Sequence, residues 1–338
     1  MDKDKFLKIG LTVIVVFIVG VFLKLAKPVL IPFCMALLLS LALTPVLDFL
    51  AARKVPKSLA LAGILLLTVV VLFLIGVLFY SSGKTLAAEL PSYNEMMKSA
   101  LESADQNLSN QRLKAEVMGW INSLNTERVG GFILSALGPF FSFVSELLLI
   151  FVFMIFILAG RGRMEKKITL AFSPDQAHTV ARTVSKIDRQ VQKYLAVKTL
   201  VCLITGVLTA VILMLFGLPF ALVFSVLAFL LNYIPTLGSI IATAPPVLMA
   251  LFYFGSFGPA LGILGLLTAV NVSLGNFVEP RLMGKGLGLS PLLVFFSLFF
   301  GAWLWGIPGM ILAVPILAVL KIIFANLPAF KVLEALMD

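Results

Sequence analysis

Residues 199–278 contain no charged side chain. Shorter runs of the same kind cover 9–23, 29–47, 59–82 and 286–320, and a further one, 134–159, carries a single acid, Glu146. A helix that crosses a bilayer needs about 20 apolar residues. Hydrocarbon offers no partner to backbone N–H and C=O groups, so such a run must bond within itself, as a helix does. The whole chain is 61% hydrophobic and 12% charged, whereas soluble domains sit near 45–50% apolar. These runs predict an all-α polytopic membrane protein with about eight hydrophobic segments. The first run has no small-residue cleavage site behind it, so 9–26 is expected to stay as a helix.

The same residues exclude several functions. The two cysteines, Cys34 and Cys202, lie inside apolar runs, where packing explains them better than a disulfide or metal. The single histidine, His178, sits in the most charged loop. No metal cluster can be built around it, no Walker loop is present, and no paired acidic or His/Cys arrangement suits hydrolysis. Neither an enzyme nor a cofactor is expected. The net charge of +10 is not a nucleic-acid signal, because basic and aromatic residues do not interleave as a base-stacking surface requires. It fits contact with anionic lipid headgroups.

Charge distribution sets the topology. Residues 161–198 hold nine Lys/Arg against three acids, and 83–135 hold five against six. The positive-inside rule places the first stretch in the cytoplasm and the second outside. Residues 1–82 then supply three transmembrane helices, with Arg53, Lys54 and Lys57 in a short inner loop. Residues 83–135 form an extracytoplasmic amphipathic segment, its first stripe Tyr93, Met96, Met97, Ala100, Leu101 and Ala104. Residues 136–160 complete a fourth helix. Residues 161–197 carry a basic amphipathic helix at the inner interface. Its start is marked by Ser173 as N-cap, Pro174 at the first position and Gln176. Residues 198–338 form the transport core, and both termini are cytoplasmic.

That core contains a repeat. Gly217, Leu222, Val223, Phe224, Phe229, Gly238 and Ala242 match Gly288, Leu293, Val294, Phe295, Phe300, Gly309 and Ala313 at a constant offset of 71. Both copies are broken apolar segments, 219–254 at Asn232-Tyr233-Ile234-Pro235 and 288–323 at Gly306-Ile307-Pro308-Gly309. Paired interruptions of this kind point to a transporter's binding site. Each block can cross once as a kinked span or turn back as a re-entrant hairpin. Hairpins leave Arg281 and Lys285 inside, as the charge rule prefers, and the two blocks then form an inverted pair. Non-helical tips are tolerated only where they are buried in protein or line a cavity.

Polar residues inside a membrane segment are expensive and need a reason. Asn232, Tyr233, Pro235, Thr236 and Gly238 at the first break suit a polyhydroxylated ligand, or else satisfy the broken helix. Asn271, Asn276 and Glu279 follow helical spacing between the two blocks. Glu279 suits either ion coupling or an ion pair with Arg281 or Lys285. Trp303, Trp305, Gly306, Pro308 and Gly309 at the second break suit a substrate path or an interface anchor. Glu146 suits a hydrogen bond between helices or between protomers, with coupling as the lesser alternative.

Asn232-Tyr233-Ile234-Pro235-Thr236-Leu237-Gly238, Glu279-Pro280-Arg281-Leu282-Met283-Gly284-Lys285, Leu289-Ser290-Pro291 and 306–315 resemble, in that order, the hallmark motifs of the autoinducer-2 exporter (AI-2E) family. The resemblance covers the whole chain. It implies a bacterial inner-membrane transporter, a homo-oligomer (a pentamer), and as substrate either autoinducer-2 or a monovalent cation exchanged for protons. The resulting expectation is a secondary transporter exporting a small polar solute such as autoinducer-2 by elevator-like alternating access. The competing expectations are a sodium or lithium/proton antiporter and a non-transporting membrane scaffold that acts through 83–135. The hairpin topology predicts that a cysteine at Lys285 is labelled by a membrane-impermeant maleimide only from the cytoplasmic side. Labelling from outside would favour kinked spans.

Overall fold

The structure is a computed structural model that describes residues 3–104, 146–160, 170–171, 173–283, 288–326 and 337. Among the described residues every regular element is a helix. In chain order they are α1 (Lys3–Leu25), α2 (Lys27–Ala52), α3 (Lys57–Ala104), α4 (Glu146–Gly160), α5 (Pro174–Leu215), α6 (Ala221–Leu231), α7 (Leu237–Phe254) and α8 (Phe257–Ser273). A π-turn (Leu274–Val278) follows, then α9 (Glu279–Met283), α10 (Pro291–Trp305) and α11 (Ile307–Asn326). Among the described residues six stretches are long and apolar enough to cross a membrane: Lys27–Ala52, Leu59–Leu86, Gln176–Leu215, Leu237–Phe254, Phe257–Met283 and Ile307–Ala325. Shorter apolar helices are Glu146–Gly160, Ala221–Leu231 and Pro291–Trp305. The chain is an all-α polytopic membrane protein.

Two helices run further than expected. α3 continues from the apolar run through Pro91 to Ala104, 48 residues in all, which is about 72 Å at 1.5 Å per residue and more than twice the hydrocarbon thickness. α5 joins the basic helix and the next apolar segment into one helix of 42 residues. No Gly, Asn or Pro lies at residues 196–199 to end it. Its start is as the sequence indicates: Pro174 opens the helix, and Ala177 N–H donates to the Ser173 carbonyl at 2.8 Å. Most of the expected outer segment, residues 105–135, lies outside the described residues, as does 161–169.

The chain divides into two compact units. Unit 1 is Met1–Ala60, Glu146–Ala196 and Lys285–Asp338, and unit 2 is Leu61–Ser145 and Val197–Gly284. In unit 1, α1 packs on α2 and α10, and α2 packs on α11. α2 ends where Lys54 takes a positive φ of 63°, with the Arg53 guanidinium 4.8 Å from the Phe49 ring centroid. Its membrane hydroxyls bond back along the helix: Ser40 to the Leu37 carbonyl and Thr44 to the Ser40 carbonyl, each at 2.7 Å. In unit 2, α6 packs on α7, and α7 on α8. Leu213, Phe224, Met249, Ala250, Ile263 and Leu267 lie at the centre of its core.

Each unit holds one copy of the repeat, and each copy is a helix–turn–helix hairpin. Gly217 and Gly288, equivalent in the repeat, precede the two hairpins with φ of +67° and +58°, a conformation that costs glycine least. The first hairpin is α6 and α7, broken at 232–236. The second is α10 and α11, broken at Gly306. At 11 and 15 residues, α6 and α10 reach about 17 and 23 Å, short of a ~30 Å hydrocarbon core.

Glycine also sets how closely the arms meet. A Cβ at Gly238 would lie 1.7 Å from the Leu231 carbonyl oxygen, and one at Gly309 would lie 2.1 Å from that of Gly301. Backbone cannot yield as a flexible side chain does. Gly238→Ala and Gly309→Ala are therefore predicted to cost at least the ~1–3 kcal/mol typical of overpacking and to lower the melting temperature in detergent. Gly265→Ala, where an added Cβ meets nothing within 4 Å, should be neutral or slightly stabilising. Equal melting of all three variants would contradict this packing.

Candidate functional site

A cavity of about 690 Å³ lies within unit 2. The first break supplies Asn232, Pro235 and Thr236, and α7 supplies Ser239 and Thr243. α8 and the π-turn supply Thr268, Asn271, Gly275 and Asn276. Lys198 of α5 and Glu279 of α9 carry charge into it. Apolar residues, among them Ile240, Leu248 and Leu264, make up the rest of the wall. A mostly apolar wall with a few placed polar groups is the usual form of a small-molecule site, and the volume falls in the usual range of about 300–1,000 Å³.

Two of the three lining amides are each held by a hydroxyl. Asn232 Nδ2 donates to Thr205 Oγ1 at 3.1 Å, and that hydroxyl donates to the Val201 carbonyl at 2.9 Å. Asn271 Nδ2 donates to Thr243 Oγ1 at 3.1 Å, and Thr243 donates to the Ser239 carbonyl at 2.8 Å. Each amide is thereby oriented while keeping capacity for a ligand. The Asn276 side chain has no hydrogen-bond partner among the described residues. A second cavity of about 10 Å³ shares Ser239, Thr243 and Asn271 and adds Thr205 and Thr209, which is space for about one water molecule.

The π-turn matters because each π-turn carries one residue more than an α-turn and shifts the phase of everything after it. Glu279, the first residue beyond it, meets Lys198 across 81 positions of chain. Lys198 Nζ donates to both Glu279 carboxylate oxygens at 3.1 Å. The Lys198 side chain is 4% exposed and that of Glu279 is 18% exposed. The expected partners of Glu279 were Arg281 and Lys285. Arg281 is exposed on α9, and Lys285 lies outside the described residues. Lys198 was missed because it ends a run of interfacial basic residues and looks like one of them. The signal that could have found it is that the charge-free run 199–278 is bounded by one cation and one anion.

The structure therefore brings Asn232, Pro235, Thr236, Asn271, Asn276 and Glu279 to one cavity. Tyr233 turns to α5, where its hydroxyl donates to Thr199 Oγ1 at 2.9 Å. Gly238 serves the close approach of the arms. Trp303, Trp305, Gly306, Pro308 and Gly309 belong to the hairpin of unit 1. There Trp305 Nε1 donates to the Leu23 carbonyl at 3.0 Å, satisfying one of the carbonyls that the end of α1 leaves open. Lys24 Nζ lies 4.8 Å from the Trp303 ring centroid, a cation–π contact. Glu146 is the first described residue of α4 and is exposed, and both cysteines are free thiols.

Removing one partner of a buried ion pair strands the other charge. Lys198→Met and Glu279→Gln are each predicted to destabilise by up to ~3–5 kcal/mol, while the apolar double Lys198→Met/Glu279→Leu should cost much less. Thermal melting of the three variants checks this; additive losses would mean the pair is not formed.

Comparison with known proteins agrees with this architecture. The AI-2E family transporter model matches residues 11–329. A Haemophilus influenzae protein is 32% identical over 293 residues, covering 84% of this chain and 83% of that protein. YhhT of Escherichia coli K12 is 31% identical over 281 residues, covering 83% and 79%. The AI-2 transport protein TqsA of the same strain is 30% identical over 284 residues, covering 83% and 80%. With a match across nearly its whole length and bacterial relatives of similar size, the chain belongs to the AI-2E family of membrane transporters.

Proposed function

We propose that this transporter is a secondary exporter of a small polar solute, autoinducer-2, and that the solute occupies the cavity of unit 2. The observation that carries the reading is the cavity itself: about 690 Å³, lined by oriented amides and hydroxyls on an apolar wall. Such a lining suits a polyhydroxylated molecule, whose several donors and acceptors each need a partner once water is left behind. The relative named as an AI-2 transport protein supports the same substrate.

The Lys198–Glu279 contact supports re-entrance of the first hairpin. If α5 crosses outward, a hairpin that enters and leaves on the outer side lets the next helix return Glu279 to the level of Lys198. A single kinked span would leave the two ends of 199–278 on opposite faces, about 30 Å apart. By the same charge rule the second hairpin enters from the cytoplasmic side, and both termini are cytoplasmic. Hairpins of this kind give alternating access, here in a homo-oligomer.

A monovalent cation/proton antiporter using Glu279 is the second reading, favoured by that carboxylate's place in the wall. Both of its oxygens are bonded to Lys198, so a cation would first have to displace an ammonium.

Reconstituted protein should release labelled autoinducer-2 from liposomes faster than empty vesicles do. Asn271→Ala should slow release about tenfold, the loss expected from one hydrogen bond of ~1.4 kcal/mol. Sodium-driven pH change with no release of label would move the assignment to the antiporter.

A further inference from the structure

The cavity of unit 2 is lined by two charges, Lys198 and Glu279, and among its described lining residues there are no others. They are joined, Nζ being 3.1 Å from each carboxylate oxygen. Their side chains are 4% and 18% exposed, so the pair is set into the wall and not held out in the lumen. A solute that enters meets amides, hydroxyls and hydrocarbon, and a charge pair that is already internally neutral. An anion would have to win Lys198 from Glu279, and a cation would have to win Glu279 from Lys198.

We infer that the Lys198–Glu279 pair is the charge filter of the solute site. It restricts the cavity to electroneutral polar molecules, and loss of either partner opens the cavity to ions of the sign opposite to the partner that remains. The physical ground is the cost of a lone charge away from water, which is met by a proton or by a counter-ion. Beside a cavity of about 690 Å³, a counter-ion has room to bind. The ammonium left by Glu279→Gln would take up an oxyanion; the carboxylate left by Lys198→Met would take up a monovalent cation. A pair that only fastened α5 to α9 would change stability and leave ion preference untouched. The inference rests on the proposed solute site, and assigns to it both a substrate class and the residue pair that sets it.

Inorganic phosphate is the probe, compared with chloride at equal ionic strength. In the wild type, phosphate should neither raise the melting temperature of the purified protein nor slow efflux of labelled autoinducer-2 from proteoliposomes. In Glu279→Gln, phosphate should raise the melting temperature by several degrees, as any ligand bound only to the folded state does, and should slow any remaining efflux. Lys198→Met should show no phosphate effect and should be stabilised by sodium relative to tetraethylammonium. The charge-reversed double, Lys198→Glu/Glu279→Lys, restores a neutral pair and should show neither the phosphate effect of Glu279→Gln nor the sodium effect of Lys198→Met. It also tests the inference if either single variant fails to fold. Equal phosphate response in wild type and Glu279→Gln would overturn the filter, as would a folded reversed double that phosphate or sodium still stabilises. A phosphate shift confined to Glu279→Gln, in a protein that never moves autoinducer-2, would uphold the filter and reject that solute.

Discussion

One largely buried contact organises unit 2. Lys198 and Glu279 bound a stretch with no charge at all, and they meet at 3.1 Å. Removing two charges from water is costly, and attraction compensates only when the geometry is good and the pair is held in place. Here it is held by a long helix on one side and by a π-turn on the other. The end of α5, the first hairpin, α8 and the π-turn are the elements that lie between the two charges along the chain. Together they enclose the cavity into which the amides of Asn232 and Asn271 are turned.

The second constraint is the demand of the bilayer that broken helices satisfy their own polar groups. The hairpins meet it by contact. Glycines at 238 and 309 let the arms touch backbone to backbone, and hydroxyls along the helices donate to carbonyls three or four residues back, as Ser225 does to Ala221 at 2.6 Å and Thr205 to Val201. Among the described residues no fully buried side-chain nitrogen or oxygen lacks a partner. Two of the amides at the cavity, Asn232 and Asn271, are thus fixed by hydroxyls that are themselves satisfied. A site preorganised in this way loses less entropy when it takes a ligand.

Much of this was legible in the sequence. Charge-free runs dictated helices. Asn232 to Pro235 and Gly306 to Gly309 marked the breaks, and Ser173-Pro174 marked a helix start. The glycine matches of the repeat, Gly217 with Gly288 and Gly238 with Gly309, turned out to share backbone roles, positive φ in one case and close approach in the other. What was not legible depends on long-range contact or on helix phase. No local pattern announces the π-turn at Leu274–Val278, which delivers Glu279 to Lys198. Nothing near Trp305 in sequence says that its indole closes the end of α1, 282 positions away. Composition placed a boundary near residue 83, but an uninterrupted helix carries α3 past it to Ala104, because a change in polarity does not by itself stop a helix.

The claim that unit 2 holds the solute can be tested at a single position. Thr268 lines the cavity, whereas Gly265, one turn earlier on α8, is exposed and does not. In a background with Cys34 and Cys202 replaced by alanine, the alkylation rate of Thr268→Cys by a small thiol reagent should fall in the presence of autoinducer-2. The rate for Gly265→Cys should not change. Equal rates at Thr268→Cys with and without autoinducer-2, in protein that still exports it, would contradict the assignment of the solute to this cavity.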